Sequence, residues 1–187
     1  YENNLLRAVT AIGQGELLTT PLHMGMVVLA AVNEGNLPLP YFVERIQDPQ
    51  GETLRRQPQS RTIPNLVKPE TAALAREMMV TVVEQGSGRK AALEGVRVGG
   101  KTGTAQVGGD REPHAWFTGF AEEGDRSVVI VVMIENGGEG SQTAAPVFAQ
   151  MADVALHQAG QPVDEVLPTP AAPEPTQPAE EVTAQTG

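Results

Sequence analysis

The chain has 187 residues, carries 13 Lys and Arg against 23 Asp and Glu for a formal charge of −10, and has no cysteine. That composition excludes disulfide frameworks, thiolate zinc sites, thiol nucleophiles and a phosphate-binding surface of clustered Lys and Arg. The length suffices for one buried core, and no apolar run reaches the ~20 residues of a membrane-spanning helix. The first residue is Tyr1 rather than Met, with no signal-like segment after it, so a piece of a longer chain is expected.

The first predicted helix covers residues 21–34. Thr20 suits its N-cap, Pro21 its first turn and Gly35 the left-handed position after its end. Leu22, Met24 and the run from Met26 to Val32 make it apolar almost all round, which predicts a buried helix with His23 as a satisfied structural histidine. Residues 39–67 are rich in Pro and Gln and read as a hairpin-like excursion plus loop. A second helix follows over 69–85, with Leu74, Met78 and Val82 on one stripe and Gly86 as its stop. Extended segments are predicted over 96–106, 115–121 and 127–134. The last is a β-branched apolar run, the pattern of a central strand covered on both faces. The short link Glu122–Arg126 allows an antiparallel hairpin and is too short for a parallel crossover. A third helix is predicted over 145–158, with Val147, Met151 and Val154 as its stripe. Residues 161–187 hold five acids and six prolines, with no Lys, Arg or aromatic residue, and read as a disordered acidic tail after a body of residues 1–160. The fold class is α/β of the α+β type, an antiparallel sheet with helices packed on both faces.

Residues 95–102, GVRVGGKT, satisfy the phosphate-loop pattern G-x-x-x-x-G-K-S/T. That loop needs a helix starting at its Lys-Thr, so that helix N–H groups face the phosphates. Here Val96-Arg97-Val98 is strand-like, and GTAQVGGD after Thr102 is poor in helix formers, so the nucleotide reading is rejected. The three histidines, His23, His114 and His157, are too scattered for a histidine metal site.

The same residues read better as KTGT, Lys101 to Thr104, within VGGKTGTAQ and followed by HAWFTGFA at 114–121. Three further blocks accompany it in order: AIGQGELLTTPLHM at 11–24, VVEQGSGRKAA at 82–92 and NGGEGSQTAAPVF at 136–148. Together they resemble the transpeptidase domain of penicillin-binding proteins, class B in particular, over residues 11–157. The resemblance implies a partial domain of the penicillin-binding and serine β-lactamase fold. It also implies acyl transfer through a serine ester, with D-Ala leaving a stem peptide and a second stem's amine taking the acyl group. Lys101 and Thr104 would be catalytic, the Thr104 N–H serving as an oxyanion donor, and Thr102, Gly103 and Thr104 would bind substrate. No cofactor or metal is implied. The implied ligands are peptidoglycan stem peptides and β-lactams, with cell-division or elongation proteins as partners and no nucleic acid. The place of action is the outer face of the bacterial cytoplasmic membrane, held by an upstream anchor. Strict alternation puts Thr102 and Thr104 on one face and Lys101 on the other, so the cleft must wrap around the strand edge.

The family's nucleophile motif S-x-x-K and its S-x-N are not found at suitable places before Lys101. Ser87-Gly88-Arg89-Lys90 matches S-x-x-K, but it lies too near KTG, and its flanking glycines mark a turn. Ser60 and Ser141 have no lysine three residues on. The chain is therefore expected to be the C-terminal half of the domain without its nucleophile. A β-lactam sensor or inactive penicillin-binding module, and an acyl-serine hydrolase of the carboxypeptidase or β-lactamase kind, are the alternatives. His114 is expected to be a loop histidine without a role, Trp116 and Phe117 core or cleft wall, and Glu135 solvated.

Overall fold

The computed structural model describes residues 4–56 and 61–157. Its elements in chain order are α1 (Asn4–Ala11), α2 (Pro21–Val32), β1 (Leu37–Pro38), β2 (Arg45–Gln47), β3 (Thr53–Arg56), β4 (Thr62–Ile63), α3 (Pro69–Glu84), β5 (Arg97–Ala105), β6 (His114–Glu123), β7 (Arg126–Ile134) and α4 (Ala144–His157). The frame is the antiparallel sheet β5-β6-β7. The tail expected at 161–187 and Ser60 lie outside the described residues.

Alternation along β6 sorts the core into two layers. Ala115, Phe117 and Ala121 point to the side covered by α4, where they meet Phe148, Ala152 and Leu156. Phe120 points to the other side, where it meets Val28 of α2 and Val80 of α3. The sheet is thus covered by helices on both faces, as expected. Phe117 and Phe148 pack with ring centroids 4.7 Å apart at a tilt of 55°. In the β6–β7 hairpin Glu123 pairs with Arg126 across a two-residue turn, and Gly124 takes a φ of 57° there.

The caps of α2 fall where they were read. Thr20 Oγ1 accepts from the His23 N–H, Pro21 opens the helix, and Gly35 has a φ of 83°. A side chain at Gly35 would also run into the Val67 carbonyl. The 39–67 excursion holds the small β2–β3 ladder and strand β4, which pairs back to β1 just before the excursion.

Several expectations need correction. Among the described residues the middle strand is β6, and the apolar β7 is an edge with only Val132 buried. Two members of the expected α3 stripe point outward, with Leu74 61% and Met78 56% exposed and Val82 half-buried, while Ala72, Val80 and Val83 are buried. Here α3 comes so close to the sheet that a side chain on Gly99 would stand 3.2 Å from the Val80 nitrogen, and small residues suit that gap better than Leu or Met. Arg76 also faces the sheet, pairing with Glu122 and lying 5.5 Å from the centre of the Phe120 ring. In α4 the stripe is likewise shifted: Phe148, Ala152 and Leu156 are buried, while Met151 and Val154 are about half exposed. Helix α2 is only partly covered, His23 on it is exposed, and α1 was not expected at all. Between α2 and β7 runs an open groove of about 360 Å³, lined by Leu22, Met26, Leu29, Pro40, Val129 and Val131.

Candidate functional site

The KTGT segment forms the second half of β5. The two glycines before it are packing requirements. A side chain on Gly99 would overlap the Phe120 ring, and one on Gly100 would overlap the Phe117 ring. The strand runs on through Lys101 and Thr102 to Ala105, so no helix starts at the Lys-Thr and the phosphate-loop reading is excluded.

One edge of β5 is paired with β6, and the other carries no strand among the described residues. The Thr104 carbonyl accepts a hydrogen bond from Gln14 Nε2 at 2.9 Å rather than serving the ladder. In an extended strand the N–H and C=O of one residue point to the same side, so both polar groups of Thr104 are turned toward that open edge. Thr102 has the same parity, and its carbonyl accepts from Lys101 Nζ at 2.6 Å. The Lys101 side chain leaves the opposite face and folds around the edge. That geometry answers how Lys101 and the two threonines reach one place.

The remaining sequence blocks converge on the same strand. Gln14 comes from the Gly13-Gln14-Gly15 turn, 90 residues away in sequence. Ser87 Oγ lies 2.7 Å from Thr102 Oγ1. Lys90, three residues on, points instead to Gln142 Oε1 in the turn before α4, at 2.5 Å. Arg89–Ala91 is a single 3-10 turn, and Lys90 is exposed. A nucleophile motif needs a longer helix that buries the lysine beside the serine, and this turn supplies neither.

The 136–148 block closes over Gly103. A methyl group on Gly140 would stand 2.5 Å from the Gly103 carbonyl oxygen, so the two backbones are in direct contact. The loop is tied down at both ends. The Gly138 N–H donates to the Pro113 carbonyl at 3.0 Å, and the Ala145 N–H donates to the Gly140 carbonyl at 2.9 Å. Asn136, with a φ of 50°, donates its N–H to His114 Nδ1 at 3.0 Å. His114 therefore holds this turn, a role the sequence did not disclose, and its neutral form carries the proton on Nε2. The missing Cβ of Gly103 leaves room for Trp116, whose Cβ would stand 3.0 Å from a side chain there. Trp116 is half-buried, Phe117 is core and Glu135 is exposed.

A family model for the penicillin-binding protein transpeptidase domain matches residues 2–153. The chain is 34% identical over 162 residues to the peptidoglycan D,D-transpeptidase PbpA of Mycolicibacterium smegmatis, covering 80% of this chain and 32% of that protein. It is 34% identical over 166 residues to the peptidoglycan D,D-transpeptidase MrdA of Haemophilus influenzae, covering 79% of this chain and 25% of that protein. Among solved structures, it superposes on the ceftriaxone acyl-enzyme of penicillin-binding protein A from Mycobacterium tuberculosis with a TM-score of 0.72 and 31% identity. That match covers 79% of this chain and 35% of the other. The chain thus spans a quarter to a third of the length of these relatives. With the family's four sequence blocks gathered on one strand, the chain belongs to the penicillin-binding protein transpeptidase family.

Proposed function

We propose that this chain is the KTG-strand half of a peptidoglycan D,D-transpeptidase whose nucleophilic serine and S-x-N motif lie in a part of the protein outside these 187 residues. The serine oxygen attacks the penultimate D-Ala carbonyl of a stem peptide. The C–N bond to the terminal D-Ala breaks, and the released amine leaves protonated. An amine from a second stem then attacks the ester, forms the cross-link and returns the proton to the serine. β-Lactams enter the same first step and stay as the acyl group.

In this reading the substrate lies along the open edge of β5 as an added strand. The Thr104 N–H stabilises the oxyanion, and losing such a donor costs on the order of a hundred- to a thousandfold in rate. The hydroxyls of Thr102 and Thr104 hold the substrate's terminal carboxylate, and Gly103 keeps the strand slim where the substrate crosses it. Lys101 adds positive charge beside the serine. The Thr104 carbonyl supports the reading best: it is turned from β6 and accepts an amide N–H from Gln14, the kind of donor a peptide strand would offer. Gln14 is then a stand-in that the substrate displaces. M. tuberculosis penicillin-binding protein A is known as acyl-enzymes with ceftriaxone, imipenem and penicillin G, and the same ligand class is assigned here. The protein would act at the outer face of the cytoplasmic membrane through an anchor elsewhere. No helix among the described residues is long and apolar enough to cross a membrane.

The test uses the full-length protein, a fluorescent penicillin and a stem-peptide donor with an amine acceptor. The transpeptidase reading predicts a label that survives for hours and a cross-linked product with D-Ala release. Rapid loss of the label with hydrolysed product would support the acyl-serine hydrolase instead. A stable label without any cross-linking would support the sensor.

A further inference from the structure

The chemistry above leaves Ser87 unused, although its Oγ is 2.7 Å from Thr102 Oγ1. The turn that presents it is tightly held. The N–H groups of Gly86 and Gly88 both donate to the Val82 carbonyl, at 3.1 and 2.9 Å. Side chains at those two positions would crowd Val82, standing 2.9 and 3.2 Å from its carbonyl oxygen. Glycine on either side therefore lets the turn close, and Ser87 is the one residue of the three that projects a side chain, straight at β5. Its partner Thr102 lies at the free edge, where the Thr102 carbonyl already carries the Lys101 ammonium.

We propose that Ser87 is a positioning residue for Thr102, donating to Thr102 Oγ1 so that the Thr102 O–H is aimed at the substrate's terminal carboxylate. This rests on the reading of Thr102 as a carboxylate-binding residue. The proton count supports it. Two hydroxyls share two protons, one is spent between them, and one is left for an outside acceptor. When Ser87 donates, Thr102 keeps that second proton, loses its rotational freedom and becomes the stronger donor, because an accepting hydroxyl is polarised by its partner. The match of residues 87–90 to S-x-x-K then has a different cause from nucleophile activation. Ser87 serves Thr102, while Lys90 reaches to Gln142 in the turn before α4.

The test is carried out on the full-length protein, which is acylated with benzylpenicillin and with its methyl ester, in which the carboxylate is replaced by a neutral ester. Ser87→Ala is expected to lower the second-order acylation constant for benzylpenicillin about three- to tenfold, the worth of one ordinary hydrogen bond. The constant for the methyl ester is expected to change by less than about twofold, since its weaker acceptor gains little from an aligned donor. Ser87→Thr, which keeps the hydroxyl, is expected to restore the preference for the free acid. An equal fall with both ligands would make Ser87 merely structural and overturn the proposal. No fall with either ligand, or failure of Ser87→Thr to restore the preference, would do the same. Absence of acylation in the unsubstituted protein would instead overturn the transpeptidase reading on which the proposal stands.

Discussion

Gly140 rests on Gly103 backbone to backbone: a methyl group on Gly140 would stand 2.5 Å from the Gly103 carbonyl oxygen and 3.1 Å from its nitrogen. Neither atom can move without shifting the KTGT strand, because Gly103 is paired with Trp116. Gly140→Ala must therefore displace the 136–143 loop or the strand. The expected result in the full-length protein is a stability loss of about 1–3 kcal/mol, as for other overpacked sites. Penicillin acylation should fall by about tenfold or more, since a misplacement of about 1 Å near a reacting group is already costly. Chemical denaturation and acylation kinetics check the two parts.

Gly100 gives a second steric test, toward the core on the α4 side of the sheet. Its absent side chain would overlap the Phe117 ring, which is fully buried and braced by Phe148. The ring has nowhere to swing. Gly100→Ala is expected to lower stability by about 1–3 kcal/mol through the clash with the ring, whereas Gly51→Ala, with open space around it and a φ of 88°, should cost about 1–2 kcal/mol through backbone strain alone. Urea midpoints for the two variants give the comparison.

What the sequence disclosed was local. Thr20, Pro21 and Gly35 mark the ends of α2 through short-range hydrogen bonds and a positive φ, and Gly124 marks the β6–β7 turn, so these features were legible residue by residue. The phases of α3 and α4 are not legible from their large apolar residues, because those do not mark the core side. Ala72, Ala152 and the Arg76 stem instead face a sheet that the helices approach closely. The place of β7 depends on what pairs with its far edge, which its own composition does not encode. Within the site, the KTGT motif itself was legible. The contacts of Gln14, Ser87 and Gly140 with it were not, since they join residues far apart along the chain.

His157 gives a pH-dependent clip between α4 and the end of β6. Its ring is 2.8 Å from Asp153 and 3.0 Å from Glu123. The hydrogen bond to Asp153, helped by the charges of Glu123 and Asp153, raises its pKa above the ordinary 6.5. A raised pKa in the folded state means that the clip stabilises fully below pH 6.5 and fades as pH climbs through the folded value. Melting temperatures across pH 5–9 should therefore show a fall on the alkaline side that His157→Gln removes. A profile unchanged by His157→Gln would contradict the clip.

The groove between α2 and β7 predicts the behaviour of the 187-residue chain on its own. Leu22 and Val27 of α2 are exposed, and β7 has a bare edge among the described residues. Such a surface is expected to bind a hydrophobic dye and to drive self-association. Light scattering and dye fluorescence check this, and a sharp cooperative melt of a dye-negative monomer would contradict it. If the reactive serine lies outside these 187 residues, as proposed, the isolated chain is also expected to take up no penicillin. A stable labelled band lost on Ser87→Ala would contradict that.

In the proposed function, KTGT is the substrate-binding and charge-stabilising strand of a penicillin-reactive site. The most direct measurement is the second-order constant for penicillin acylation of the full-length protein carrying substitutions at Lys101 and Thr104. Lys101→Ala is expected to lower it by about two orders of magnitude or more, because the positive charge assigned to stabilise the reacting serine is removed. Thr104→Ser keeps both the hydroxyl and the backbone N–H and is expected to retain most of the rate. Thr104→Pro removes the N–H and should abolish acylation. Normal acylation by Lys101→Ala, or by Thr104→Pro, would contradict the account.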